Sequence, residues 1–68
     1  MFEYTMRNGK KVTINPKMIC CIFEGENDET SIYTCESYDP IIVKEDYNKV
    51  KDDFNNFMYT IQTIISVR

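Results

Sequence analysis

Three cysteines, a pair of adjacent carboxylates and a small cluster of cations are the residues of this 68-residue chain whose types suit chemistry. Cys20, Cys21 and Cys35 would act through their thiolates, and a reactive thiolate needs a neighbouring His or a cationic pocket to lower its pKa. The chain has no His. It also has no C-x-x-C, so the four ligands of a structural zinc site are not expected, and no metal or cofactor is assigned. The three thiols read as small buried hydrophobes. Glu45 and Asp46 are paired carboxylates of the kind that share acid and base work. Directly ahead of an amphipathic stretch, they are explained more simply as helix-capping residues. Gly9 and Gly25 are isolated and form no phosphate-cradling loop. Arg7, Lys10 and Lys11 are the groups that would contact a small anionic ligand or an acidic partner. With no catalytic constellation, the chain is expected not to be an enzyme.

Charge divides the sequence. Residues 1–18 carry Arg7, Lys10, Lys11 and Lys17 against Glu3, whereas the stretch from Glu24 to Asp53 holds ten acids against three lysines. Glu24, Glu26, Asp28 and Glu29 form the densest acidic face. A net charge of −3 repels phosphate backbones, so direct contact with duplex nucleic acid is not expected. The asymmetry suits a basic hairpin docking on an acidic neighbour, including another copy of the chain. Cysteines odd in number, two of them adjacent, and an N-terminus without the apolar run of a secretion signal point to the cytoplasm. The longest apolar run, Met18 to Phe23, is six residues and cannot span or insert in a membrane.

The elements that must position these groups follow from periodicity. Phe2 to Met6 and Val12 to Ile14 alternate apolar and polar, as half-buried strands do. Between them lies Asn8-Gly9. A two-residue loop there would place the apolar residues of the two strands on opposite faces. A three-residue loop with Gly9 left-handed pairs Met6 with Lys10, Tyr4 with Val12 and Phe2 with Ile14, gathering the apolar set on one face, and is the expected form. Asn15-Pro16 breaks the second strand. Met18 to Phe23 has no polar face and reads as a central strand covered on both sides. If Glu24 pairs with Thr30 across the polar turn at 25–29, Ile22 faces Ile32 while Cys21, Phe23, Tyr33 and Cys35 share the other face. Tyr38-Asp39-Pro40 is a further turn before a short strand, Ile41 to Val43.

From Glu45 the period lengthens. Tyr47, Val50, Phe54, Phe57, Ile61 and Ile64 recur at spacings of three and four, widened by Met58 and Ile65. Asp46 is the expected N-cap, with acids in the first turn. The helix is well marked over 46–58, whereas residues 59–65 are β-branched or aromatic and would also suit a strand. The expected architecture is therefore α+β: one domain, residues 1–68, with an antiparallel meander of about five short strands (1–44) followed by a C-terminal amphipathic helix and tail (45–68).

A chain of this size buries only about 60% of its unfolded surface, and its core seldom supplies more than roughly 3–5 kcal/mol. A helix from Asp46 to about Ser66 would be roughly 30 Å long against strands of ~17–20 Å. One small sheet cannot cover its whole apolar stripe. Tyr47, Phe54, Phe57, Met58, Ile61, Ile64 and Ile65 are therefore the expected self-association residues.

Arg7-Asn8-Gly9-Lys10, Val12, Ile14-Asn15-Pro16, Met18-Ile19, Ile22, Thr30, Ile32 and Val43-Lys44-Glu45 occur in an order that resembles the small bacterial flagellar and swarming-motility proteins of the FlbD type. The resemblance covers residues 4 to about 54. Ser37-Tyr38-Asp39-Pro40 stands where a second NG-like turn would be expected, and residues 55–68 run past the usual end. The resemblance implies a non-enzymatic modulator of motility and carries no catalytic residue. Two functional classes stay open. One is a cytoplasmic protein-interaction module working as a homo-oligomer on another protein. The other is a phage or mobile-element inhibitor that blocks a host nucleic-acid enzyme with its acidic face, or sequesters a small anionic ligand between protomers.

Overall fold

The computed structural model describes residues 1–66, with side chains through Ile61. Five antiparallel strands precede one helix: β1 (Phe2–Thr5), β2 (Lys11–Ile14), β3 (Ile19–Glu24), β4 (Thr30–Thr34), β5 (Ile41–Val43) and α1 (Tyr47–Ser66). The α+β expectation holds. The strands form two sheets, β1-β2 and β3-β4-β5. The division falls at Asn15-Pro16, where the Asn15 side chain accepts from the Lys17 amide and starts a single 3₁₀ turn, Pro16–Met18. Met18, expected in the third strand, belongs to that turn instead, because proline in the first position favours helical φ.

The first hairpin has the three-residue loop. Phe2 pairs with Ile14 and Tyr4 with Val12, the Met6 amide donates to the Lys10 carbonyl at 2.7 Å, and Gly9 takes a φ of 90°. That backbone region is costly for a residue with a Cβ. In the second hairpin Glu24 pairs with Thr30 and Ile22 with Ile32. Its turn is made by Asn27 and Asp28, both left-handed, residue types whose short polar side chains tolerate that conformation.

Two expectations about β3 are corrected. It is an edge strand, paired only with β4, and Cys20, Cys21 and Phe23 on it are exposed. Ile19 and Ile22 both turn toward the core, Ile19 buried and Ile22 packed against the buried cluster. Three residues apart, they could not share a face in a regular strand. A bulge between Ile19 and Cys21 resolves the conflict: it shifts the alternation by one and turns both cysteines outward. Hence the thiols are not buried hydrophobes. Cys35, at the end of β4, is exposed as well.

Tyr4, Ile14, Ile19, Ile32, Val43 and Val50 make the buried core, with Phe2, Val12, Ile22, Ile41 and Phe54 packed around it. Val50 of α1 is fully buried, and Phe54 adds to the packing from the same helix. Asp46 caps the helix by accepting from the Lys49 amide at 2.8 Å. Its first turn contains no acid; Asp52 and Asp53 fall in the second. The helix continues without a break through the β-branched stretch. No helix among the described residues is long and apolar enough to cross a membrane.

Candidate functional site

Among the described residues the two sheets meet at one bridge, Met6 opposite Val43. It is flanked by hydrogen bonds from the Lys44 amide to the Thr5 carbonyl (2.7 Å) and from the Arg7 amide to the Ile42 carbonyl (3.0 Å). Around this seam the polar groups converge. Both carboxylate oxygens of Glu45 accept from the Thr5 amide, at 3.0 and 3.1 Å. The Glu45 carbonyl accepts from the Thr30 hydroxyl at 2.8 Å, which satisfies a polar side chain that is completely buried. Arg7 grips the Glu29 carboxylate through Nε and its terminal nitrogen, the shortest contact being 2.7 Å. The Glu29 carboxyl is held below the usual carboxylate range, chiefly by that bond.

On the helix side the Tyr4 hydroxyl donates to Asp53 Oδ2 at 2.7 Å, and Lys49 reaches the same carboxylate at 3.0 Å. Burial, then the Asp53 bond and charge, hold the Tyr4 hydroxyl protonated well above the ordinary phenol range. Burial alone would raise the Asp53 pKa. The bonds from Tyr4 and Lys49, with the Lys49 charge, outweigh it and lower it. A carboxylate whose pKa is lower folded than unfolded stabilises fully above its unfolded value of about 4 and loses that contribution as pH falls through the folded one. Acid should therefore unfold the wild type more steeply below about pH 4 than the Asp53→Asn variant. Melting temperatures of both at pH 3 and pH 6 check this; equal losses on acidification would contradict it.

These placements reassign several residues. Arg7 is engaged by Glu29, and the Lys11 ammonium donates to the Thr5 hydroxyl at 3.1 Å, while Lys10 stays exposed. An anion at the hairpin would first have to displace Glu29 from Arg7. Among the described residues the ion pair that links the basic hairpin to the acidic turn is Arg7 with Glu29. Glu24, Glu26 and Asp28 remain exposed around it.

The helix stripe is divided in the same way. Phe54 packs on the core. Phe57 sets its ring edge-on to Phe2 at 6.1 Å, and Tyr47 lies under the Lys51 ammonium at 5.9 Å. Met58 is 40% exposed and Tyr59, which periodicity did not single out, is 71% exposed. Ile61 is half-buried; the side chains of Ile64 and Ile65 lie outside the described residues. On the outer face of β3-β4, Phe23 is 54% exposed and meets only the edge of Tyr33 among the aromatics, at 5.5 Å. Among the described residues the large apolar groups left open are thus Met58 and Tyr59 on α1, Phe23 on the edge strand, Tyr38 in the turn before β5, and Met1.

Compared with known proteins, the chain matches no family model, no curated protein and no solved structure.

Proposed function

We propose that the chain is a non-enzymatic interaction module that works as a homo-oligomer, and that it modulates bacterial motility as the FlbD-type proteins it resembles do. The observation that supports this most directly is the aromatic and thioether surface at Met58, Tyr59 and Phe23, which the monomer leaves uncovered although its own core is small. Adjacent large apolar groups left open on the helix of so small a domain suit a protein contact. The free edge of β3 supports the reading independently, since its unpaired amides and carbonyls are a template for another strand. The residues that carry the family resemblance support a structural role. Arg7 binds Glu29, Thr30 binds the Glu45 carbonyl, and Glu45 binds the Thr5 amide, so these residues knit the two sheets together and leave the open surfaces to do the binding.

An acidic inhibitor of a nucleic-acid enzyme would need a row of free carboxylates. With Glu29 neutralised by Arg7, three exposed acids remain at that turn, and this reading is the weaker one.

Light scattering on the purified chain tests the proposal. At about 50 µM, well above the ~1 µM dissociation constant that corresponds to about −8 kcal/mol, the mass should exceed the 8.1 kDa of one chain. The double variant Met58→Asp, Tyr59→Asp should return it to one chain with its helix intact by circular dichroism. A monomer mass independent of concentration would overturn the proposal.

A further inference from the structure

The bulge that turns Cys20 outward also brings it to Cys35, fifteen residues away, with the two Sγ atoms 2.8 Å apart. The backbones are held together at that point, the Cys35 amide donating to the Met18 carbonyl at 2.8 Å. Both thiols are exposed and open into a groove lined by Thr34, Glu36, Ser37 and Tyr38. In the reduced state this contact has little structural value, because a thiol is a weak donor and solvent competes for it at the surface. A disulfide needs 2.03–2.05 Å between sulfurs, so closing this one asks for a movement of about 1 Å or less. We propose that Cys20 and Cys35 form a reversible dithiol site that is oxidised by low-molecular-weight disulfides of the glutathione type.

The exchange balances in two steps. One of the two thiols, as its thiolate, attacks one sulfur of the oxidant, its S–S bond breaks, and the released thiolate takes up a proton, leaving a mixed disulfide on that cysteine. The other thiol then loses its proton and attacks the same cysteine's sulfur, expelling the second small thiol. Two protein thiols are oxidised and one small disulfide is reduced to two thiols. Either sulfur can donate in the contact, so either cysteine can open the exchange and the other resolves it. Cys21 takes no part: it is paired opposite Tyr33 one step further along the ladder.

The test incubates the folded, reduced 68-residue chain with graded ratios of oxidised to reduced glutathione, alkylates the remaining thiols, and reads intact mass and peptide map. The expected product has lost two hydrogens, carries a Cys20–Cys35 cross-link and retains one alkylatable thiol at Cys21. It should exceed the mixed glutathione adduct by at least ~10-fold, because the second thiol is already in place. Cys21→Ser should oxidise as the wild type does, whereas Cys20→Ser should stop at one glutathione on Cys35. Circular dichroism reports whether each variant folds, and the wild-type map decides the question if one does not. A cross-link through Cys21, a covalent dimer in place of the internal bond, or thiols that remain reduced or singly adducted at every ratio would overturn the proposal.

Discussion

Ile32→Ala is expected to leave much of the chain unfolded at 25 °C. Ile32 is completely buried on the middle strand of the larger sheet, between Ile22 of β3 and Ile41 of β5. Replacing a buried Ile by Ala costs about 2–5 kcal/mol, the upper part of that range applying where neighbours cannot collapse into the space. Here they cannot readily do so, because flanking strands on both sides fix the backbone and Val50 presses from the helix. A domain of this size has roughly 3–5 kcal/mol of stability in all, so the loss is comparable with the whole. Ile32→Val, which removes one methylene, should cost only about 0.5–1.5 kcal/mol and remain folded. Urea titrations followed by circular dichroism measure both. A cost below about 1 kcal/mol for the alanine variant would mean that the core does not centre on Ile32.

Glu45→Ala should follow closely, at about 1.5–3 kcal/mol, the value of hydrogen bonds to a charged acceptor. The Glu45 carboxylate is the acceptor for the Thr5 amide, and it stands beside the bridge between the two sheets. Without it the hairpin β1-β2 keeps the backbone bonds around Met6 and Val43 but loses the clamp beside them. Glu45→Gln keeps a neutral acceptor of the same shape and should cost about 1 kcal/mol. Amide exchange separates a local effect from a global one: the Thr5 amide should exchange faster in the alanine variant than the midpoint shift alone predicts. Equal destabilisation by Ala and Gln would assign the effect to something other than this bond.

Much of this arrangement was legible in the residues. The loop at Asn8-Gly9 and the pairing of Tyr4 with Val12 follow from demanding that apolar side chains share a face, a requirement local enough to solve within fourteen residues. The helix follows from the spacing of Tyr47, Val50, Phe54 and Phe57. The placement of β3 does not follow, because six consecutive apolar residues look alike on a central strand and on a bulged edge strand. Only the spacing of Ile19 and Ile22, three apart yet both needed inside, hinted at the bulge that exposes the cysteines. Arg7 with Glu29 and Tyr4 with Asp53 were out of reach for another reason. Each charge has several partners of suitable sign, and the choice among them is made by the fold.

The bonds from β1 to Glu45 and Asp53 bear on how the protein folds. Tyr4 meets Asp53 and Thr5 meets Glu45, 49 and 40 residues away, and Val50 completes the core. Contacts of such sequence separation form only after a long loop has closed, which slows folding. The strands of the hairpin β1-β2 therefore lack their packing partners until Glu45, Val50 and Asp53 have docked, so the hairpin and the helix complete one another in the same late step of folding.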